Sequence, residues 1–462
     1  MSAEGLQQAI DKMHERGVDE RAISVFRHYY GQLEHGAGGT IAEDTIEPLS
    51  DVPALEDFHA SDEARRAALA ATVVLKLNGG LGTGMGLAGP KTALPVRGGL
   101  TFLDVIARQV LALRRRHDVE LPLVFMHSFR TREQSLAVLA KYPDLAVEGL
   151  PLDFLQNAEP KLRADDLTPV SWPVDPALEW CPPGHGDLFV ALLASGVLKT
   201  LRDKGFRYAF VSNSDNLGAT CDPDVAAWMK EQGAPYVAEV CRRTVNDRKG
   251  GHLAVRKEDG QLILRDSAMV APGEEALFAD NTRHSSFHAN NLWFDLDVLD
   301  ALLTEREGVL GLPIMVNRKT VDPADSSSTK VIQVESAMGT AVEVIKGSRA
   351  LLVPRRRFRP VKTTNELLLV RSDIFELDDD SNLVSVLDHA EPFVDLDSSF
   401  FTLVPDFDER FPAGVPSMRE ATSLRVTGDV HFGADVVCVG DVTVKAPERR
   451  TIADGTRLAG EA

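Results

Sequence analysis

The sequence predicts an α/β protein with a mixed, mostly parallel sheet and flanking helices, followed by a smaller all-β region at the C-terminus. Short apolar runs alternate with amphipathic helical patterns between about residues 72 and 303, which is typical of a parallel sheet covered by helices. A hairpin pattern within this region predicts that the sheet is mixed. A six-residue repeat after residue 423 predicts the all-β region.

Residues 1–70 are predicted to form helices with acidic and basic faces. A glycine-rich segment at residues 35–40 interrupts them and predicts a turn. We interpret residues 1–70 as a helical lead-in that packs on the domain after it.

Strand and helix patterns then alternate through a main domain at residues 71–385. The apolar runs lie at 73–77, 121–126, 208–211 and 291–294, and the helical patterns lie after Thr101, from Val225 to Gln232 and from Val298 to Leu303. Successive strands separated by helices pair in parallel. Residues 252–266 predict a hairpin that turns at Asp259 and Gly260.

The C-terminal region, residues 386–462, contains four six-residue blocks that we call the hexads: LRVTGD, VHFGAD, VVCVGD and VTVKAP, at residues 424–447. Val430, Val436 and Val442 share one phase of the repeat. One inward aliphatic residue per hexad predicts a parallel β-helix; chance periodicity and an antiparallel meander are the alternatives. Such a short coil must pack on the preceding domain or on another subunit, so a homo-oligomer through this domain is one of two expectations.

Charge, cysteine spacing and the N-terminus exclude several classes of protein. The 462 residues carry 50 Lys and Arg against 69 Asp and Glu, a net charge of -19, which is the wrong sign for gripping nucleic acid or anionic lipid. Four cysteines lie far apart without disulfide or zinc spacing. The chain has no N-terminal leader pattern and no apolar run of roughly 18 residues. We therefore expect a cytoplasmic protein that binds neither nucleic acid nor membrane.

A glycine-rich loop directly follows the first predicted strand. Residues 79–89 hold six glycines and are followed by Pro90, Lys91 and Thr92. Such a loop lets backbone N–H groups converge on a phosphate. The loop matches neither of two common phosphate-binding motifs. In the dinucleotide fingerprint a helix should begin where Pro90 stands, and in the P-loop the last glycine should be followed directly by the lysine, whereas here Pro90 separates them. A phosphate cradle is the functional interpretation, and a purely structural loop is the alternative.

At this loop the chain resembles a known family. The segment KLNGGLGTGMGLAGPKT resembles the signature of the UTP–glucose-1-phosphate uridylyltransferases, the UDP-glucose pyrophosphorylases of eukaryotic type. Further similar segments follow in order: PPGHGDLFVALLASGVL, FVSNSDNLGATCD, KGGHLAV, FHANNLWFDL, VIQVESAMGTAV and VPRRRFRPVKTTNELLLV. The similarity covers residues 73 to 375, and the hexads match the family's β-helix. The resemblance implies a GT-A-like, Rossmann-like catalytic domain and a left-handed C-terminal β-helix.

The resemblance also implies a set of residues that bind UTP. These are Leu77, Asn78, Gly79, Gly80, Lys91, Met126, Gln156, Gly184 and Lys362. A carboxamide such as that of Gln156 both donates and accepts hydrogen bonds and suits the uracil edge. Lys362 lies in the densest basic segment of the chain, residues 354–364, which taken alone fits a solvated face equally well. Lys91 and Lys362 are the two implied catalytic lysines.

The implied sugar-phosphate site includes Gly79 and Gly80 again. Its other members are His185, Asn213, Ser214, Asp215, Asn290 and Asn291. Asn213, Ser214 and Asp215 are expected at the carboxyl end of a buried strand, where open α/β sheets bind ligands. Asp215 is then a hard oxygen ligand for Mg²⁺, the implied cofactor. A helix cap is the alternative for Asp215.

The implied reaction joins UTP and glucose 1-phosphate into UDP-glucose and pyrophosphate by in-line attack on the α-phosphorus. A sugar phosphate is already anionic at neutral pH, so the lack of a catalytic triad is expected. Alternatives are a pyrophosphorylase for another sugar 1-phosphate and a non-catalytic regulator that binds nucleotide sugars. Ala88 stands where many members carry a basic residue, and His288 where an asparagine is common. These two departures concern phosphate charge and sugar selectivity respectively.

Overall fold

A computed structural model gives the structure of residues 2–36, 39–243 and 250–461. Ala37 and Gly38 of the predicted turn, and Lys249 of the KGGHLAV segment, lie outside the described residues. The α-helices are Ser2–Glu15, Glu20–Glu34, Asp62–Ala70, Phe102–His117, Arg132–Leu139, Leu188–Ala194, Val197–Asp203, Pro223–Gln232, Glu275–Ala279, Leu296–Glu305, Thr364–Arg371, Ser398–Phe401 and Val404–Arg410. Over these ranges, none of the helices has the length and apolar character that crossing a bilayer requires.

A seven-stranded sheet forms the centre of the main domain. In spatial order its strands are Arg349–Leu352, Tyr236–Arg242, Ser286–Asp295, Tyr208–Asn213, Thr72–Asn78, Leu123–His127 and Asp153–Leu155. Only Ser286–Asp295 runs antiparallel to its neighbours, and the other pairs are parallel. The predicted mixed, mostly parallel sheet is confirmed, although its antiparallel member is Ser286–Asp295 and not the predicted hairpin. The predicted hairpin exists, at His252–Arg256 and Leu262–Arg265, but it belongs to a separate small sheet.

Alternation along the strands gives the sheet two buried faces. Val73 and Leu75 pack on one face, with the helices Leu188–Ala194 and Leu296–Glu305. Val74 packs on the other face, with the helix Phe102–His117. All seven residues of Thr72–Asn78 are buried, as expected for a strand covered on both sides by helices. Helices on both faces leave the strand ends, and the loops after them, as the surface available for a site.

Several small sheets of short strands lie outside the central sheet, in this domain and in the N-terminal region. A three-stranded sheet joins the predicted hairpin to Ile46–Pro48, a strand that the helical pattern of residues 1–70 did not predict. The other short strands are Pro95–Arg97, Leu100–Thr101, Glu159–Pro160, Leu162–Arg163, Trp180–Cys181, Ile314–Thr320, Lys330–Ser336, Phe375–Leu377 and Leu383–Ser385. Ile46 and Ala254 bury their side chains against each other, so cross-strand packing outweighs the local helical pattern here.

The C-terminal region is a four-stranded sheet of parallel strands. Its strands are Phe393–Leu396, Ser417–Phe432, Val437–Ile452 and Arg457–Glu461. The antiparallel meander is therefore wrong. Val430, Val436 and Val442 are all buried, as their shared phase predicted. Their hydrophobic cluster continues into the helix Val404–Arg410 and the main domain, so the sheet packs on its own chain.

Replacing Leu424 with Ala tests this packing. Leu424 has no exposed surface and lies in the shared cluster, so the substitution should lower the free energy of unfolding by about 2–5 kcal/mol. Thr427→Ala on the same strand is exposed and should change it by less than about 0.5 kcal/mol. Urea unfolding followed by circular dichroism measures both, and equal effects would contradict a C-terminal sheet packed on the same chain.

Candidate active site

Four parallel strands end side by side at one edge of the central sheet, and several of the predicted site residues lie at or just after these strand ends. Leu77 is in register with Asn213 and Asn78 with His127, so these strand ends are level. The glycine loop follows Asn78, and residues 214–216 follow Asn213. Gln156 follows the edge strand Asp153–Leu155. The fold thus brings segments that are far apart in sequence to a single edge, as open α/β sheets do at their ligand sites.

Asn78 closes the glycine loop. Its Oδ1 accepts a hydrogen bond of 2.6 Å from Thr92 Oγ1, and its Nδ2 donates to Ser135 Oγ at 2.9 Å. Asn78 is 2% exposed, so its side chain ties the start of the loop to its end. This closure places Lys91, the residue before Thr92, over the sheet edge.

Lys91 and Asp215 form an ion pair across this edge. Lys91 Nζ donates to Asp215 Oδ2 at 2.6 Å, and both side chains are largely buried. The backbone N–H of Val361 donates to the carbonyl of Asp215 at 3.0 Å, which brings Lys362 alongside. Lys362 is exposed, and in addition to burial its positive charge lowers the pKa of His185. Lys91 therefore contacts the carboxylate of Asp215, and Lys362 directly follows the residue that binds the Asp215 backbone.

The carboxylate of Asp215 is only partly hydrogen-bonded. Its Oδ1 is buried without a hydrogen-bond partner, and the same holds for Ser214 Oγ. Within the described ranges, no cluster of three or more His, Cys, Asp or Glu is arranged to hold a metal. Mg²⁺ takes one or two carboxylates and completes its shell with water and substrate phosphates. Asp215 fits that role, because it offers a single hard oxygen donor.

Gln156 lies against the backbone of the glycine loop. A Cβ atom on Gly79 would be 2.7 Å from Gln156 Oε1, so a side chain there would displace the Gln156 carboxamide from this position. A Cβ atom on Gly80 would meet nothing within 4 Å, which leaves that position open. Leu77 and Met126 are 8% and 2% exposed and belong to the core beneath the loop. They support this part of the site from below.

The PPGHGD segment packs against the strand Lys330–Ser336. Gly184 has φ +80°, and a Cβ atom there would lie 2.5 Å from the carbonyl oxygen of Ser336. The backbone N–H of Met338 donates to His185 Nδ1 at 2.9 Å. Burial lowers the pKa of His185 to about 4, so at neutral pH the ring is neutral and carries its proton on Nε2. His185 therefore offers an uncharged N–H donor.

The two predicted asparagines of the antiparallel strand have different surroundings. Asn291 is fully buried and donates through Nδ2 to Glu239 Oε2 at 2.9 Å and to the carbonyl of Arg357 at 3.2 Å. Asn290 is half-buried with φ +55°, and its N–H donates to His288 Nδ1 at 3.2 Å. The amide of Asn291 thus connects two buried parts of the fold, and Asn290 lies nearer the surface of the site.

A buried ion pair under the site was missed in the sequence. Arg357 reaches Glu239 with a two-point contact, Nε to Oε2 at 2.8 Å and Nη2 to Oε1 at 2.6 Å. Burial alone would raise the pKa of Glu239, but the Arg357 guanidinium outweighs it and holds the pKa below its ordinary value. Arg357 lies within the basic run, whereas its neighbour Arg356 is exposed. The basic run therefore contains a buried structural arginine next to exposed ones, and the sequence pattern does not distinguish the two kinds.

Replacing Arg357 with Leu should destabilise the protein by about 3–5 kcal/mol, because Glu239 would keep a buried charge without a partner. Arg356→Leu removes the same charge from an exposed position and should cost less than about 1 kcal/mol. Chemical unfolding of both variants tests this. If they unfold together with the unaltered protein, the pair does not support the segment that leads to Lys362.

The fold and this edge define the class of the protein: a mostly parallel-sheet α/β protein in which a glycine loop, an ion-paired lysine and aspartate, and a basic segment lie at one edge of the sheet. Comparison with known proteins narrows the class. The profile of the UTP–glucose-1-phosphate uridylyltransferase family matches residues 23–438, and the chain belongs to that family.

Individual relatives agree with this assignment. The chain is 36% identical to UTP–glucose-1-phosphate uridylyltransferase of Hordeum vulgare, over 98% of this chain and 95% of that protein. It is 38% identical to a probable UTP–glucose-1-phosphate uridylyltransferase of Schizosaccharomyces pombe, over 82% of this chain and 74% of that protein. A solved structure of a mutant UDP-glucose pyrophosphorylase from Leishmania major, in complex with UDP-glucose, superposes with TM-score 0.93 at 41% identity and covers 99% of both chains. A Trypanosoma brucei structure matches with TM-score 0.92, at 41% identity and with the same coverage.

Proposed function

We propose that this chain is an enzyme that makes UDP-glucose and pyrophosphate from UTP and glucose 1-phosphate. The observation that carries the proposal is the contact of Lys91 with Asp215 beside a glycine loop, with Lys362 directly after the residue whose N–H binds Asp215, in a chain that belongs to the UTP–glucose-1-phosphate uridylyltransferase family. The Leishmania major relative is described in complex with UDP-glucose. None of the three charged residues is replaced, which argues against the non-catalytic regulator.

The reaction needs placement and charge more than proton transfer. The phosphate oxygen of glucose 1-phosphate is anionic at neutral pH, since the second pKa of a sugar phosphate is about 6. It attacks the α-phosphorus of UTP in line, the bond to the β-phosphate breaks, and pyrophosphate leaves with the electron pair. Two polyanions must approach each other, so fixed cations at the site lower the barrier.

The residues of the chain divide these tasks. Lys91 and Lys362 place positive charge at the triphosphate. Gln156 presents a carboxamide to the uracil edge, and Gly80 leaves room for the close approach of phosphate. His185 donates a neutral N–H to the sugar phosphate, because its Nδ1 is already occupied by the N–H of Met338.

Mg²⁺ fits this site through the free oxygen of Asp215. When bound, it supplies charge that stabilises the developing pyrophosphate. Residues 214–216 are held by backbone bonds, among them Ser214 N–H to the carbonyl of Leu77 at 3.0 Å. Asp215 is therefore fixed before any cation arrives.

We also propose finer features of the fold and its setting. The catalytic domain is GT-A-like, and the C-terminal sheet winds as a left-handed β-helix. Pairing of Leu424 with Val442 and of Val437 with Arg457 supports the coil, because paired residues lie about three hexads apart. Arg457–Glu461 is an edge strand and is the surface through which we expect any homo-oligomer to form. Four buried free cysteines support a reducing, cytoplasmic setting.

Release of pyrophosphate from purified protein tests the activity directly. UTP with glucose 1-phosphate should give turnover, and the same assay with galactose 1-phosphate and N-acetylglucosamine 1-phosphate ranks the alternative sugars. Equal or better rates with another sugar 1-phosphate would assign the chain a different substrate.

Lys362→Ala should lower kcat by about a hundredfold or more with the fold intact, because a positioned charge in a phosphate site contributes roughly 3–4 kcal/mol to the transition state. Lys362→Arg should recover little, since a planar fork does not replace a compact ammonium. Arg356→Ala removes an exposed charge from the same segment and serves as the control. Near-normal turnover of Lys362→Ala would assign this residue to the solvated surface.

Asp215→Asn should raise the Mg²⁺ concentration needed for half-maximal rate, because the amide keeps the shape but loses the charge that holds a hard cation. Titration of turnover against Mg²⁺ at fixed UTP measures the shift. Asp379→Asn alters an exposed carboxylate outside the site and should leave the titration unchanged. An unchanged midpoint in Asp215→Asn would mean that the triphosphate alone carries the metal.

A further inference from the structure

Asp187 joins two loops of the site and has no part in the reaction as proposed. Its Oδ2 accepts a hydrogen bond of 2.6 Å from the backbone N–H of Asn157, and its Oδ1 accepts one of 2.7 Å from Asn157 Nδ2. Asp187 ends the PPGHGD segment, and Asn157 directly follows Gln156. A single carboxylate thus fixes one loop to the other at two points.

The ordinary role of an aspartate at this position is excluded by the geometry. Asp187 occupies the N-cap position of the helix Leu188–Ala194, yet its side chain makes no cap hydrogen bond. It is 6% exposed, and burial raises the pKa of its carboxyl to about 6. At neutral pH it is therefore mainly ionised and accepts both bonds from Asn157. The carboxylate is directed away from its own helix, toward the neighbouring loop.

The contacts continue from Asn157 to the nucleotide loops. Gln156 N–H donates to the carbonyl of His127 at 2.8 Å, and the Gln156 carboxamide lies against Gly79. On the other side, a Cβ atom on Gly186 would lie within 2.9 Å of the backbone carbon of Ser336. The segment that carries Asp187 is thus packed on the strand Lys330–Ser336, and Asp187 holds the residue that directly follows Gln156.

We propose that Asp187 is a positioning residue that sets the carboxamide of Gln156 against the uracil edge, and so contributes to the selection of UTP over other pyrimidine nucleotides. This inference rests on the proposed function and deepens it. A carboxamide discriminates between bases only when its donor and acceptor are held in one orientation. Two charge-assisted bonds to the next residue supply that restraint.

Asp187→Asn is the direct test, because the amide keeps the shape but can accept only one of the two bonds. We expect KM for UTP to rise about tenfold, the effect of losing one hydrogen bond to a charged group. KM for glucose 1-phosphate should change by less than about twofold, and the ratio of kcat/KM for UTP over CTP should fall. Asn157→Ala removes only the side-chain donor, so it should move the same quantities by less and decides the matter if Asp187→Asn does not fold.

A charge swap and a remote aspartate serve as controls. The double variant Asp187→Asn with Asn157→Asp restores a carboxylate facing an amide and should recover much of the UTP selectivity. Asp295 is 4% exposed and accepts hydrogen bonds from the N–H groups of Asp297 and Val298. It lies beside Tyr208, at the end of the strands that is away from the site. Asp295→Asn should therefore lower thermal stability without changing KM for UTP or the selectivity ratio.

The outcomes separate this inference from the proposed function. If the unaltered protein does not make UDP-glucose, the proposed function fails before any variant is made. If it does, and Asp187→Asn loses stability as Asp295→Asn does while KM for UTP and the UTP-to-CTP ratio stay unchanged, Asp187 is structural and the inference is overturned. A selective loss that the charge swap restores supports it.

Discussion

The buried contact between Arg357 and Glu239 is the constraint on which the rest of the site depends. Glu239 lies inside the central sheet with no exposed surface, and it also accepts from Trp293 Nε1 at 2.8 Å and from Asn291. Placing Arg357 there fixes the chain just before Lys362. A buried charge pair is a poor source of net stability, but it tolerates only one arrangement. Its contribution is the fixed position of a lysine that is itself exposed.

The same arrangement recurs around the edge of the sheet: a buried polar group holds the backbone, and a nearby residue is one to which we assign a role toward the substrates. Asn78 is buried and closes the loop that carries Lys91. Asn216 accepts from the N–H of Arg359 at 2.8 Å and adjoins Asp215. Buried polar groups with satisfied hydrogen bonds are rigid, so the groups next to them are held in place before substrate arrives. Catalysis by charge and placement requires this rigidity.

The sequence was sufficient for the fold class, because strand and helix periodicities are local. It also predicted the parallel hexads and the buried phase of Val436. It could not assign the strand Ile46–Pro48, whose pairing with the hairpin is a long-range contact. Nor could it separate Arg357 from Arg356, since burial depends on which carboxylate the fold brings near. The site residues came from a resemblance, and their framework partners, such as Asn157, became visible only from the geometry.

The pairing of Lys91 with Asp215 explains how so many charges coexist at a largely buried edge. In the structure the two side chains neutralise each other at 2.6 Å, so neither is a buried charge without a partner. In the proposed reaction the triphosphate brings negative charge to Lys91, and a cation brings positive charge to Asp215. Each partner then exchanges one counter-charge for another, and the site stays compensated throughout. Under this proposal a nucleotide alone would leave Asp215 without its positive partner, so binding of a nucleotide and binding of a cation would favour each other.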